Sequence, residues 1–101
     1  MGEMLARVQD IPEGKGIVVT LSNGFEVALF KVKGQIYALD NSCPHEGGPL
    51  GEGTLEECVV SCPWHGWEFD VTTGECLNMP FEEARKIGIK IVGDQIFLDN
   101  L

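Results

Sequence analysis

The segment FEVALFKVK, residues 25–33, alternates in side-chain character and is rich in β-branched and aromatic residues, the pattern of a strand with period two. Short runs of the same kind recur along the chain: KGIVVTL, QIYALD, TLEECVVS, WEFDV, KIGIKIV and QIFLD. Turn-forming pairs separate them. Asn23-Gly24, Lys33-Gly34 and Gly93-Asp94 predict tight connections, and Thr73-Gly74 predicts a further hairpin. One fragment has helical character, PFEEARK at 80–86, with proline at an N1-like position and acids behind it, enough for a single turn at most. Regularly spaced short strands with glycine-rich turns predict an all-β antiparallel sandwich or barrel.

The chain has 101 residues, enough for one domain with one core but not for separate cofactor and substrate domains. No apolar run approaches the ~20 residues of a membrane-spanning helix, and the start lacks a basic-then-apolar export signal. The expectation is a cytoplasmic protein without a membrane anchor. Lys and Arg are absent from residues 34–84, a stretch that holds ten acids: Asp40, Glu46, Glu52, Glu56, Glu57, Glu68, Asp70, Glu75, Glu82 and Glu83. Phosphate binding needs clustered bases, so this charge distribution argues against a nucleic-acid partner.

Within that acidic stretch lie both histidines of the chain and all four cysteines. CPHEGG at 43–48 and CPWHGW at 62–67 are near-copies, giving Cys43-x-His45, sixteen intervening residues, and Cys62-x-x-His65. Pro44 and Pro63 cannot donate to a ladder, and Gly47, Gly48, Gly51, Gly53 and Gly66 permit tight turns, so both motifs are expected in loops. Two such loops at one end of a β scaffold would bring Cys43, His45, Cys62 and His65 together, with backbone N–H groups turned inward as suits anionic atoms such as sulfide. Cys58 and Cys76 are expected to be small core residues. From the residues alone, a Cys2His2 zinc module remains an alternative, although zinc knuckles usually pair Cys with Cys and His with His. A Cys-His nucleophilic enzyme fits two symmetrical pairs poorly.

The motif C-x-H, sixteen residues, C-x-x-H, with proline after each cysteine and glycine after the second histidine, resembles the Rieske iron–sulfur proteins, and the flanking short strands and LNMPFEE at 77–83 resemble them too. The resemblance implies a Rieske-like all-β fold, with a two-loop cluster-binding subdomain at about 41–82 inserted in a β base. It also implies one [2Fe–2S] cluster, with Cys43 and Cys62 on one iron and His45 and His65 on the other. Neutral imidazoles in place of two thiolates leave the oxidised centre uncharged. Rieske potentials accordingly span about −150 to +300 mV, against about −400 mV for plant-type ferredoxins.

High-potential family members add a disulfide and hydroxyl donors around the cluster. Here Trp64 and Gly48 or its neighbour stand at the disulfide positions, Trp67 at the serine and Phe69 at the tyrosine, so a low potential is expected. Trp64, Trp67, Phe69 and Pro80, with Pro49, Leu50 and Met79, are expected to shield the site. The second nitrogens of His45 and His65 are expected to couple reduction to protonation. A stand-alone chain of this kind is similar to ferredoxins that carry electrons from a flavin reductase to a terminal oxygenase. An accessory subunit of a nitrite reductase-type system is the alternative. The acidic stretch implies docking as a monomer onto basic partner surfaces through weak, transient contacts.

Overall fold

A computed structural model describes residues 2–44, 47–64, 66–79 and 81–99. Among these, nine strands form and no α-helix: β1 Met4–Arg7, β2 Gly16–Thr20, β3 Glu26–Val32, β4 Gln35–Asp40, β5 Thr54–Glu56, β6 Val59–Ser61, β7 Glu68–Asp70, β8 Ile89–Val92 and β9 Gln95–Leu98. They make three antiparallel three-stranded sheets, ordered β1-β9-β8, β2-β3-β4 and β5-β6-β7.

The middle strand β3 explains how the sheets stack. Successive side chains of a strand point to opposite faces. Val27 and Leu29 enter one core with Leu5, Ile36 and Ile96, whereas Ala28, Phe30 and Val32 enter another with Leu39, Val60 and Phe69. The β2-β3-β4 sheet therefore lies between two cores, one shared with β1-β9-β8 and one with β5-β6-β7. Each fully buried Val, Leu or Phe contributes about 1.5–3 kcal/mol of transfer free energy. The strongest alternating run of the sequence is thus the strand buried on both faces.

Most predicted turns form. Lys33 and Gly34 occupy a two-residue hairpin between β3 and β4, both in the left-handed region at φ 52° and 79°. Glu13 reaches across to this turn and accepts from the N–H groups of Lys33 and Gly34, which holds its carboxyl below the usual glutamate value of 4.5. Asn23 closes the β2–β3 connection by accepting from the Phe25 N–H at 2.9 Å. After β7, Asp70 accepts from the Thr72 N–H and hydroxyl, and an isolated Phe69–Cys76 bridge completes the hairpin.

Two expectations are corrected, and one strand, β1, lies outside the predicted runs. TLEECVVS is two strands, β5 and β6, folded back at Glu57, whose φ of 54° reverses the chain. The short strand β1 pairs with β9 through a bulge between Met4 and Ala6. Residues 81–86 form no helical turn, because their polar groups are claimed by strands on two sides. Ala84 N–H donates to Gly74 O at 2.7 Å, Glu82 O accepts from Cys76 N–H, and Arg85 O accepts from Asp40 N–H at 2.8 Å. Extended backbone tying two sheets together offers more partners than one isolated turn.

Candidate metal centre

The two motifs occupy the β4–β5 and β6–β7 connections, and they close in the same way. Cys43 N–H donates to Gly48 O at 2.9 Å, and Gly47 N–H donates back to Cys43 O at 2.7 Å. Cys62 N–H donates to Trp67 O at 2.7 Å, and Gly66 N–H donates back to Cys62 O at 2.9 Å. Each turn thus starts at a cysteine, passes through a glycine four residues on and closes at the fifth. Gly47 and Gly66 lie in the left-handed region, at φ 80° and 75°, where a side chain is strained. The near-repeat in the sequence is therefore a repeat of closing hydrogen bonds and of a left-handed glycine.

The sulfur half of the predicted ligand set is buried. Cys43 and Cys62 are each 3% exposed and belong to the core shared by the β2-β3-β4 and β5-β6-β7 sheets. His45, His65 and Pro80 lie outside the described residues, as does the expected coupling of the histidines to protonation. Phe69 is fully buried on β7, and Trp67 is half-buried against the same core. Trp64 is 56% exposed, yet its ring carbons lie 3.0–3.2 Å from where a Cβ on Gly48 would stand. Leu50 is buried, Pro49 half-buried and Met79 exposed. Cys58 and Cys76 form no disulfide; Cys76 is buried in the core, and Cys58 packs against it from a half-exposed position.

Gly48 carries the test of whether a prosthetic group fits. A Cβ there would stand 2.7 Å from the Cys62 sulfur, so the bare backbone of the first loop lets the thiol of the second approach it directly. Gly51 and Gly53 are also close-approach positions, not left-handed turns: a Cβ on Gly51 would meet Val18 at 2.6 Å, and one on Gly53 would strike the Ser61 carbonyl. Two buried thiols on matching turns, with bare backbone against one of them, suit a sulfur-ligated group held between the loops.

Asn41 had no signal in the sequence reading. It is 3% exposed, and its side chain accepts from the Gly51 N–H at 2.7 Å and donates to Glu26 at 3.1 Å. Its carbonyl accepts from Leu50 N–H at 2.8 Å. The residue clasps both ends of the first loop and fastens them to β3. A polar residue just ahead of Cys43 was the only trace of this role.

No described acid of residues 34–84 is neutralised by an ion pair. Among the described residues the one ion pair is Arg7–Asp94, at 3.5 Å, outside that stretch. Glu52, Glu56, Glu57, Glu75, Glu82 and Glu83 are all exposed. A negative field surrounds the loops.

The Rieske [2Fe-2S] domain family model matches residues 3–96. The chain belongs to that family. It is 40% identical over 91 residues to the ferredoxin component of a naphthalene 1,2-dioxygenase system of Pseudomonas aeruginosa, covering 89% of this chain and 86% of that protein. The fold superposes on a Sphingomonas yanoikuyae B1 ferredoxin with a TM-score of 0.90, covering all of both chains at 24% identity. A third similar structure is the ferredoxin in a complex of reduced oxygenase and oxidised ferredoxin of carbazole 1,9a-dioxygenase, with a TM-score of 0.85, 26% identity and coverage of 94% and 89% of the two chains. The family carries a [2Fe–2S] cluster, which sets aside the zinc-module alternative. No helix among the described residues is long and apolar enough to cross a membrane.

Proposed function

We propose that this chain is a low-potential electron carrier that takes single electrons from a flavin-containing reductase and passes them to a terminal oxygenase. The observation that carries this reading is the paired turn, which places the Cys43 and Cys62 thiols in one buried core beside the bare backbone of Gly48. Cys43, His45, Cys62 and His65 would hold the cluster, within a cluster-binding unit of about residues 41–82 set on the β base. When bound, a [2Fe–2S] cluster supplies reversible one-electron storage.

The chain's own residues set the conditions for that exchange. Burial of both thiols excludes water from the sulfur side. The matching turns hold Cys43 and Cys62 in one core, and Asn41 anchors the first turn to β3. Trp67 and Phe69 bring no hydroxyl to donate to sulfur, so added negative charge is weakly stabilised and the potential sits near the bottom of the family's range of about −150 to +300 mV. The exposed acids favour a weak encounter with basic surfaces on the partners, the carrier acting as a monomer in the cytoplasm.

Low-temperature EPR of the dithionite-reduced protein tests the ligand set. A signal of mixed histidine and cysteine ligation, with a redox titration midpoint in the lower part of that range, is the expected outcome. A colourless protein containing zinc and no acid-labile sulfide overturns the reading. A midpoint in the upper part overturns only the low-potential step.

A further inference from the structure

Three local rules of protein structure are broken within nine residues of the chain, between Glu75 and Glu83. Phe81 is 103% exposed, a whole aromatic ring in water. It also sits at φ +73°, a region where glycine is the usual residue, beside a Glu82 N–H that donates to Met79 O. Glu75 and Glu83 then stand directly opposite each other in an antiparallel bridge, a like-charge pair that repels. Each feature costs stability, and among the described residues no ion pair of Glu75 or Glu83 and no burial of Phe81 offsets it. Local conflicts that a fold retains mark sites under another demand.

The path of the chain says where this turn points. β7 runs away from the second cysteine loop, and residues 75–77 return beside it, with Leu77 N–H donating to Glu68 O at 2.7 Å and the Asn78 side chain accepting from Glu68 N–H. Residues 77–79 therefore project past the start of β7 toward the Cys62 loop. Leu77 and Met79 are exposed on the same turn, and Trp64 is exposed on the loop it approaches. Acids border this apolar crest: Glu82 and Glu83 follow Phe81, and Glu75 faces them across the bridge.

The geometry points to Phe81 as the anchor by which this carrier docks on its oxygenase, the ring entering an apolar hollow whose edge carries Lys or Arg against Glu82, Glu83 and Glu75. The assignment rests on the function proposed above, and the carbazole ferredoxin of the same fold is likewise found in complex with its oxygenase. Aromatic anchors at the centre of small interfaces carry a disproportionate share of binding energy, while rim charges act mainly on the encounter rate.

The test compares holoprotein F81G, F81Y and the unaltered chain as electron donors to the oxygenase of a naphthalene 1,2-dioxygenase system, and as acceptors from the reductase of that system, by stopped flow. Glycine is the residue the turn favours, so F81G is expected to melt no lower than the unaltered chain and to keep its EPR signal and midpoint. Its rate of electron delivery to the oxygenase should nevertheless fall about tenfold, the equivalent of losing one modest anchor. F81Y should restore most of that rate, and reduction by the reductase should change less than about twofold. Equal delivery by F81G and the unaltered chain overturns the anchor alone. Equal losses toward both partners overturn its assignment to the oxygenase. No delivery by the unaltered chain overturns the functional reading itself.

Discussion

The two cysteine turns share their closing hydrogen bonds and differ in the side chains they carry. In the first, CPHEGG, the residue that closes the turn is Gly48; in the second, CPWHGW, it is Trp67. The first loop is bare on the side where the second places the Cys62 sulfur and the Trp64 ring, and those groups take up the space that a Cβ on Gly48 would enter. The histidine positions differ as well, two residues after Cys43 and three after Cys62. Repetition thus supplies the frame, and asymmetry supplies a fit between unlike surfaces. One loop provides bulk and the other provides room.

The comparison breaks most severely at Gly48. Gly48→Ala puts a carbon 2.7 Å from the Cys62 sulfur, and the expected result is about 3 kcal/mol of destabilisation together with loss of most bound iron and acid-labile sulfide. Full cluster content in that variant would show that the bare surface is incidental.

Asn41→Ala comes next. It leaves the Gly51 N–H buried without its acceptor and loosens the first loop from β3. A loss of about 2 kcal/mol in denaturant unfolding, with faster bleaching of the cluster by chelator, is expected.

Gly66→Ala should be milder, since a Cβ there meets nothing within 4 Å and only the left-handed φ of 75° opposes it. About 1 kcal/mol is expected, and about the same for Gly47→Ala, whose Cβ would make ordinary contact with Ser42 at 3.4 Å. Unequal costs for this pair, measured by thermal melts, would mean that the turns are less alike than their hydrogen bonds suggest.

The smallest effect lies far from the loops, at Glu13. Its folded-state acidity is strengthened by the Gly34 and Lys33 N–H groups, so its contribution is fully present above the usual 4.5 and is lost as pH falls through the lowered folded value. The melting-temperature difference between the unaltered chain and Glu13→Gln should be constant near neutrality and close in acid. A difference that persists unchanged in acid would remove the ionised carboxylate from the hairpin's stability.

Much of the fold was legible because β structure writes itself locally. The alternation of FEVALFKVK became β3, and the left-handed demand of Lys33-Gly34 became a two-residue hairpin. TLEECVVS misled because an uninterrupted β-rich run hides a reversal when a charged residue, Glu57, takes a left-handed φ with no glycine to announce it. PFEEARK misled for a different reason. Its proline and acids are ordinary helix-start signals, but Gly74, Cys76 and Asp40, distant in sequence, supply hydrogen-bond partners that make extended backbone the better choice.

By itself the sequence determined the chemistry the chain can offer: two near-copied motifs that each pair a cysteine with a histidine, and a surrounding run of acids with no base. Those properties depend on residue identity and short-range spacing, which a linear string carries in full. Tertiary structure alone decided that β3 is buried on both faces, that Gly48 must be bare because Cys62 lies opposite it, that Asn41 fastens the first loop, and that Phe81 stands out in solvent. Each of these rests on contact between segments remote in the chain, and such contacts exist only once the three sheets have packed.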